Sequence, residues 1–121
     1  MESTPSIERL HIGARLSEVA IFQNTIYLAG QIAEDTSQDI GGQTSEILGH
    51  IDRLLAEAGS DKTRILMCQI FITNLDHFAA MNAVWDAWVP AGHAPPRATV
   101  VAQLAKPEWL LEIVVTAARK N

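Results

Sequence analysis

Cysteine is nearly absent from this sequence, since Cys68 is the only one among 121 residues. A lone cysteine excludes an intrachain disulfide and is typical of a protein kept in a reducing compartment. Long apolar runs are missing too, because no stretch approaches the roughly 20 residues of a membrane helix. Residues 1–5 also lack the apolar core of a signal peptide. We therefore expect a cytoplasmic protein with no membrane partner, and a buried, unreactive Cys68.

Positive charge is scarce as well. Nine lysines and arginines face 14 acidic residues, which gives a net charge of −5. Nucleic-acid binding requires a basic surface, so no nucleic-acid partner is expected. The pair Gly41-Gly42 lacks the context of a phosphate-binding loop and indicates a flexible turn. No metal or cofactor is expected, because the histidines have no metal-ligand spacing: His11, His50, His77 and His93.

Apolar residues, at 48%, are abundant enough for one folded domain spanning residues 1–121. In the first half, alternating and apolar runs predict strands at 7–11, 19–22 and 25–29, the last two joined in a hairpin at Gln23-Asn24. Residues 33–42 are polar and predict a loop. An amphipathic helix follows and stops at Gly59. Its apolar face is formed by Ile47, Ile51, Leu54, Leu55 and Ala58.

The second half predicts a buried strand at 65–73 and a helix that begins near Asp76 as its N-cap. The helix carries one stripe of large apolar side chains: Phe78, Met81, Trp85 and Trp88. Two further strands, 97–104 and 109–118, are predicted as a hairpin turning at Lys106-Pro107. The order β-β-β-α-β-α-β-β indicates an α+β fold, a mixed six-stranded sheet with two helices on one face.

The faces of the predicted terminal hairpin follow from the two-residue alternation of strands. One set of alternate residues is apolar and is expected in the core: Ala98, Val100, Ala102, Leu104, Leu111, Ile113, Val115 and Ala117. Arg97 and Glu112 then share the other face, roughly 13 Å apart. Either a ligand and water span that gap, or the functional partner comes from another subunit. Val101, Leu110 and Val114 make this second face partly apolar, which favours oligomerisation.

Arg97 and Glu112 are the strongest candidates for chemistry. A charge inside an apolar strand is costly unless it meets water, a partner or a ligand. A guanidinium at the exit of a proline-rich loop suits a carboxylate, and a fixed carboxylate can orient a water. The pair indicates a small anionic substrate and a hydrolytic step. A structural arginine paired with a neighbouring carboxylate is the alternative.

Several short segments, in their order and spacing, resemble the RidA/YjgF family of enamine and imine deaminases, closest to its YoaB-like branch. The resemblance covers nearly the whole chain. Its pieces include the fifteen-residue step from Arg97 to Glu112. The others are Leu28-Ala29-Gly30-Gln31-Ile32, Gln43-Thr44, Ala58-Gly59, Phe71-Ile72-Thr73-Asn74-Leu75-Asp76-His77-Phe78, Met81-Asn82, Trp85-Asp86-Ala87-Trp88 and Pro96-Arg97.

The resemblance implies a chorismate-mutase-like fold and a homotrimer with ligand clefts between subunits. It implies a hydrolase acting on C–N bonds, which converts reactive 2-imino and enamine acids into 2-keto acids and ammonia. Arg97 would grip the substrate carboxylate, and Glu112 would help hold the attacking water. The remaining substrate-binding positions that it implies are Leu16, Ala29, Gly30, Asn82 and Thr99. Trp88 is a further candidate, with two alternatives: it packs in the interior, as Trp85 does, or it forms a wall of the cleft.

Three of these positions depart from the family pattern. Leu16 replaces a tyrosine, Ala29 a serine and Thr99 a frequent cysteine, while Arg15 adds a cation nearby. The changes leave the carboxylate clamp and remove polar groups around the reacting centre. A non-catalytic trimer that binds or senses small carboxylates is therefore a second hypothesis. Ribonuclease or chaperone-like activity is a third, and the acidic charge argues against the nuclease.

Overall fold

A mixed sheet of six strands carries both helices on one face. The computed structural model describes residues 4–120. Along the chain the strands are β1 (Ile7–Ile12), β2 (Ser17–Phe22), β3 (Thr25–Leu28), β4 (Ile65–Ile72), β5 (Arg97–Val101) and β6 (Leu111–Ala118), and the helices are α1 (Ile40–Glu57) and α2 (Phe78–Trp88). The spatial strand order is β1-β2-β3-β6-β4-β5. The predicted α+β class and element order are confirmed. Across residues 4–120, neither helix is long and apolar enough to cross a membrane.

The hairpin of β2 and β3 forms as its sequence predicts. Phe22 pairs with Thr25, so Gln23 and Asn24 make a two-residue turn. Gln23 has a φ of 55°, the left-handed conformation that such tight turns require. Val19 is fully buried beneath the helices, so this hairpin supplies part of the core.

Helix α1 begins at Ile40, earlier than the sequence predicts. The predicted loop at 33–42 is therefore wrong for its last three residues, and the predicted turn at Gly41-Gly42 is wrong because both glycines are helical. Asp39 is the N-cap, and its carboxylate accepts a hydrogen bond of 2.9 Å from the amide of Gly42. This cap satisfies an amide that the first helical turn leaves free. Gly42 also makes room for Gln38, whose Oε1 would lie 2.7 Å from a Cβ at position 42.

The two predicted helix boundaries further along have different outcomes. Gly59 follows α1 with a φ of +85°, so the predicted stop is confirmed. Asp76 is not an N-cap. Instead, Asn74 caps a short 3₁₀ turn at Leu75–His77, and its side chain accepts from the Asp76 amide at 2.9 Å. Helix α2 then starts at Phe78, because the 3₁₀ turn leads directly into it.

The predicted terminal hairpin is wrong. Strand β4 lies between β5 and β6, pairing parallel with β5 and antiparallel with β6. Residues 102–110 therefore cross the end of β4 instead of turning tightly at Lys106-Pro107. Two parallel strands cannot be joined by a hairpin. Strand β5 pairs with β4, whereas its local sequence predicts that it pairs with β6. As a result β5 forms one edge of the sheet.

This topology reverses the predicted faces of β5. Alternate residues of β6 are buried as expected: Leu111, Ile113, Val115 and Ala117. On β5, however, Arg97 pairs with the buried Cys68, so its side chain projects on the helix face. Ala98 and Val100 are exposed, and Ala102 and Leu104 lie beyond the strand. The prediction that Arg97 and Glu112 share one face is therefore wrong.

Candidate functional site

Arg97 opens onto a pocket between the edge strand β5 and the start of α2. Its volume is about 360 Å³, at the lower end of ordinary ligand pockets. We call it the Arg97 pocket. It is lined by Ile72, Leu75, Phe78, Arg97, Thr99, Val100 and Val101.

The Arg97 guanidinium rests on aromatic rings and has no anionic partner. Its Cζ lies 5.0 Å from the ring centre of Trp85 and 6.0 Å from that of Phe78. Such stacking orients a guanidinium and leaves its N–H groups free. Among residues 4–120, none forms an ion pair or hydrogen bond with the Arg97 side chain, which is half-buried. A half-buried cation without a counter-charge is suited to hold an anionic ligand.

Asn82 adds a second incomplete group near this pocket. It lies one helical turn from both Phe78 and Trp85, the two residues on which Arg97 rests. Its Oδ1 is buried, and no donor among the described residues reaches it. Buried acceptors are nearly always satisfied, so this oxygen is an exception among the described residues, but Asn82 does not itself line the Arg97 pocket.

Cys68 lies beside Arg97 across the β4–β5 pair but takes no part in an accessible site. It is fully buried, as the sequence predicts. Burial raises the pKa of the Cys68 thiol to about 12, and the nearby charge of Arg97 only partly opposes this. The thiol is therefore protonated at neutral pH, which makes it a poor nucleophile.

Glu112 lies on the opposite face of the sheet, in a space that a glycine provides. It pairs with Phe71 of β4 on the face away from the helices. A Cβ at Gly30 would fall 2.6 Å from both Cδ and Oε2 of Glu112. The contact is fixed by Gln31 and Ile113, which exchange backbone hydrogen bonds of 2.9 and 3.1 Å. Only glycine at position 30 allows the carboxylate this position.

A second pocket, of about 270 Å³, lies between α1 and the segment after β3. Several of its polar side chains already have hydrogen-bond partners. Gln31 donates to Glu18 at 2.8 Å, and Arg53 hydrogen bonds to His50 at 3.2 Å. His50 in turn bonds to Glu46. These mutual bonds distinguish this pocket from the Arg97 pocket, where the cation is free.

The predicted site residues fall into two groups within one subunit. Arg97 and Thr99 line the same pocket. Glu112 and Gly30 lie in contact on the other face. Ala29 directly precedes Gly30, and its amide donates a hydrogen bond of 2.9 Å to the Glu18 carbonyl.

Leu16 and Trp88 join neither group. Leu16 is 56% exposed and precedes β2, in the half of the sheet farthest from β5. Trp88 donates its indole N–H to Asp52 at 3.0 Å, with Lys62 above its ring. It joins the two helices and does not line the Arg97 pocket.

The aromatic support of Arg97 could not be predicted from the sequence. The spacing of Phe78 and Trp85 predicts a helix stripe, and Trp85 is indeed buried. The same spacing does not show that the edge of this stripe meets Arg97, since that contact depends on β5 lying parallel to β4. Leu75 and Val101 also line the Arg97 pocket, and the sequence does not predict this because their positions beside Arg97 depend on the same strand pairing.

Comparison with solved structures places this architecture among YjgF-type α+β proteins. A YjgF-family protein from Neisseria meningitidis is 41% identical, with a TM-score of 0.93 over 96% of this chain and 97% of that one. An uncharacterised protein from Pseudomonas aeruginosa is 44% identical with the same TM-score, over 95% and 100% of the two chains.

The sequence profile of the family described as Endoribonuclease L-PSP matches residues 6–119. The chain belongs to this family, which is also called RidA/YjgF. A RutC family protein from Haemophilus influenzae is 49% identical over 113 residues, covering 93% of this chain and 97% of the relative. The RutC family protein YoaB from Escherichia coli is 45% identical, covering 93% and 98%.

Proposed function

We propose that the protein hydrolyses 2-imino acids to 2-keto acids and ammonia, in clefts between the subunits of a homotrimer. The observation that carries this proposal is the half-buried Arg97 guanidinium, stacked on Trp85 with no counter-charge among residues 4–120. Its free N–H groups match the two oxygens of a substrate carboxylate. Family membership supports the same reading, because the RidA/YjgF resemblance implies this chemistry.

The proposal that the clefts lie between subunits is supported by Arg97 and Glu112, which occupy opposite faces of one sheet. A small imino acid held by Arg97 cannot reach Glu112 of the same chain. A head-to-tail contact that closes into a ring can set the β5 edge of one sheet against the outer face of the next, so that Arg97 and Glu112 of two chains meet. Exposed apolar side chains on that outer face support such contact: Phe22, Tyr27 and Val100.

In the proposed reaction, Arg97 holds the carboxylate and fixes the imine carbon beside a water bound by Glu112 of the neighbouring subunit. The water oxygen attacks C2, the C=N π electrons move to nitrogen, and Glu112 accepts the water proton. Glu112 returns that proton to nitrogen, which gives the neutral carbinolamine. Glu112 then takes the hydroxyl proton of the carbinolamine and passes it to the same nitrogen as the C–N bond breaks, so that the C=O bond forms and ammonia leaves. Water and imine are consumed, and keto acid and ammonia are released, so no redox partner is needed.

An imine is already electrophilic, so positioning supplies much of the catalysis. This suits a chain in which Leu16 and Ala29 replace the tyrosine and the serine of the family pattern. The same two residues favour a second candidate function, in which the trimer binds small keto acids without chemistry.

The test is release of keto acid and ammonia from freshly generated imino acids, corrected for spontaneous hydrolysis. Wild-type protein should accelerate release, and Glu112→Gln should slow turnover by roughly 10²-fold while keeping keto-acid affinity. Exposed Glu108→Gln is the matched control. Keto-acid binding without any acceleration by the wild type would favour the sensor, and a monomeric mass in sedimentation would contradict the intersubunit site.

A further inference from the structure

The walls of the Arg97 pocket are almost uniformly apolar. Apart from Arg97 and the hydroxyl of Thr99, the lining consists of aliphatic and aromatic side chains. They come from three places: the end of β4, the turn and first residue of α2, and the end of β5. From residues 4–120 of a single chain, no acidic side chain and no second cation lines the pocket.

We infer that this pocket selects substrates whose side chain is uncharged and apolar, of branched aliphatic or aromatic type. The inference rests on the proposed function, in which Arg97 holds the carboxylate of a 2-imino acid. With the carboxylate fixed there, the substituent on C2 extends along Leu75, Phe78 and Val101. Acidic and basic imino acids are therefore poor substrates.

Leu75 and Val101 provide the surface for this selection. They are 66% and 57% exposed, although both flank a half-buried charge. An apolar substituent that covers them removes apolar area from water, which is favourable at about 25 cal/mol per Å². A ligand that carries both a carboxylate and an apolar substituent therefore pairs with the Arg97 guanidinium and covers the apolar walls at the same time.

Charged substituents are excluded by the absence of a partner. A second carboxylate would be desolvated against Phe78 and Val101, while the one cation is engaged by the first carboxylate. An ammonium group would be desolvated beside the like charge of Arg97, and in the proposed cleft Glu112 of the neighbouring subunit is engaged by the attacking water. Burial of an uncompensated charge is strongly unfavourable.

Binding of stable keto acids measures this selection without requiring turnover. The probes are 5-methyl-2-oxohexanoate and 2-oxoglutarate, which have the same number and branching of non-hydrogen atoms and differ in whether the end of the substituent is an isopropyl group or a carboxylate. Wild-type protein should bind the apolar probe at least about 10-fold more tightly in calorimetry. Leu75→Lys adds a cation at an exposed wall position, so it should reverse or abolish that preference. Ile12→Lys, on the opposite edge strand, adds the same charge and should leave the preference intact.

Equal affinity for the two probes would overturn the inference. So would a lower assembly mass of the Leu75→Lys protein than of the wild type, because Leu75 would then be covered by a neighbouring subunit. Failure of the proposed function gives a different result. If the protein prefers the apolar probe but hydrolyses no imino acid faster than buffer does, the inferred binding preference is supported and the proposed deaminase activity is contradicted. Hydrolysis of acidic and apolar imino acids at equal kcat/KM would sink the selection alone.

Discussion

Arg97 and Glu112 project from opposite faces of one sheet, on the two strands that flank β4. Arg97 pairs with Cys68 beneath the helices, whereas Glu112 pairs with Phe71 on the outer face. The sheet itself separates the guanidinium from the carboxylate. Any reaction that uses both groups on one small molecule therefore needs two copies of the chain, and this requirement can be tested directly.

Mixing two inactive variants should restore activity. Arg97→Ala protein keeps Glu112, and Glu112→Gln protein keeps Arg97. If each cleft takes one residue from each of two neighbours, random co-assembly at equal amounts makes about a quarter of the clefts complete. The two proteins are unfolded, mixed, refolded together and assayed for imine hydrolysis.

Each variant refolded alone is the control for this experiment and should stay inactive. If both residues acted from one chain, no mixed cleft would be complete. Mixed trimers, verified by mass, that show no recovered turnover would exclude a cleft shared in this way.

Arg97→Lys should weaken carboxylate binding while leaving the fold intact. Lysine keeps the charge and loses the planar fork that pairs with two oxygens and stacks on Trp85. We expect keto-acid affinity to drop by about 1–3 kcal/mol. Calorimetry with a keto acid measures this, and Arg9→Lys on the exposed strand β1 is the control. Equal affinity in the Arg97→Lys and wild-type proteins would remove the clamp role.

The elements that the sequence predicts well are those with local signals. The β2–β3 turn at Gln23 and the alternation of β6 each depend on residues close together in the chain. The insertion of β4 between β5 and β6 depends on a pairing between distant segments, which leaves no local pattern. Local alternation alone therefore placed Arg97 on the wrong face.

The same distinction between local signals and contacts of distant segments applies to the candidate site. Arg97 and Glu112 can be selected from the sequence, because a charge in an apolar strand needs a reason. Their separation by the sheet, and the aromatic support from Trp85, both require the position of β5 beside β4. The sequence thus selects these two residues as candidates, but it does not predict how one subunit arranges them.

Gly30→Ala should impair turnover while leaving the fold nearly as stable. The added Cβ would lie 2.6 Å from Cδ and Oε2 of Glu112, and the flexible carboxylate would move aside. Because catalysis depends on positioning, we expect imine turnover to fall by roughly 10-fold or more. Keto-acid binding, which we propose depends on Arg97, should persist.

Gly49→Ala is the matched control for this change. Nothing lies within 4 Å of a Cβ at Gly49, which is exposed within α1. Alanine there should stabilise the protein by about 0.5–1 kcal/mol and leave turnover unchanged. Full turnover in Gly30→Ala would mean that the position of the Glu112 carboxylate does not matter to the reaction.

Glu46→Gln should reduce stability in a pH-dependent way. The Glu46 carboxylate accepts from the amides of Glu34 and Asp35 and from Gln38, and it contacts His50. The backbone bond from Glu34 is the main cause that lowers its pKa below the ordinary 4.5. A carboxylate with a lowered pKa stabilises the fold above its unfolded value, and this contribution disappears as pH falls through the folded value.

The expected result is therefore a loss of about 1–3 kcal/mol in the free energy of unfolding at pH 7. That difference between wild type and Glu46→Gln should shrink as the pH is lowered below 4.5, because the wild-type carboxylate becomes protonated. Urea unfolding of both proteins at a series of pH values measures it. Glu108→Gln changes an exposed carboxylate and should show no such trend. A difference that stays constant down to pH 3 would mean that the amide disrupts packing, and that the charge of Glu46 is not what holds residues 34–38 against α1.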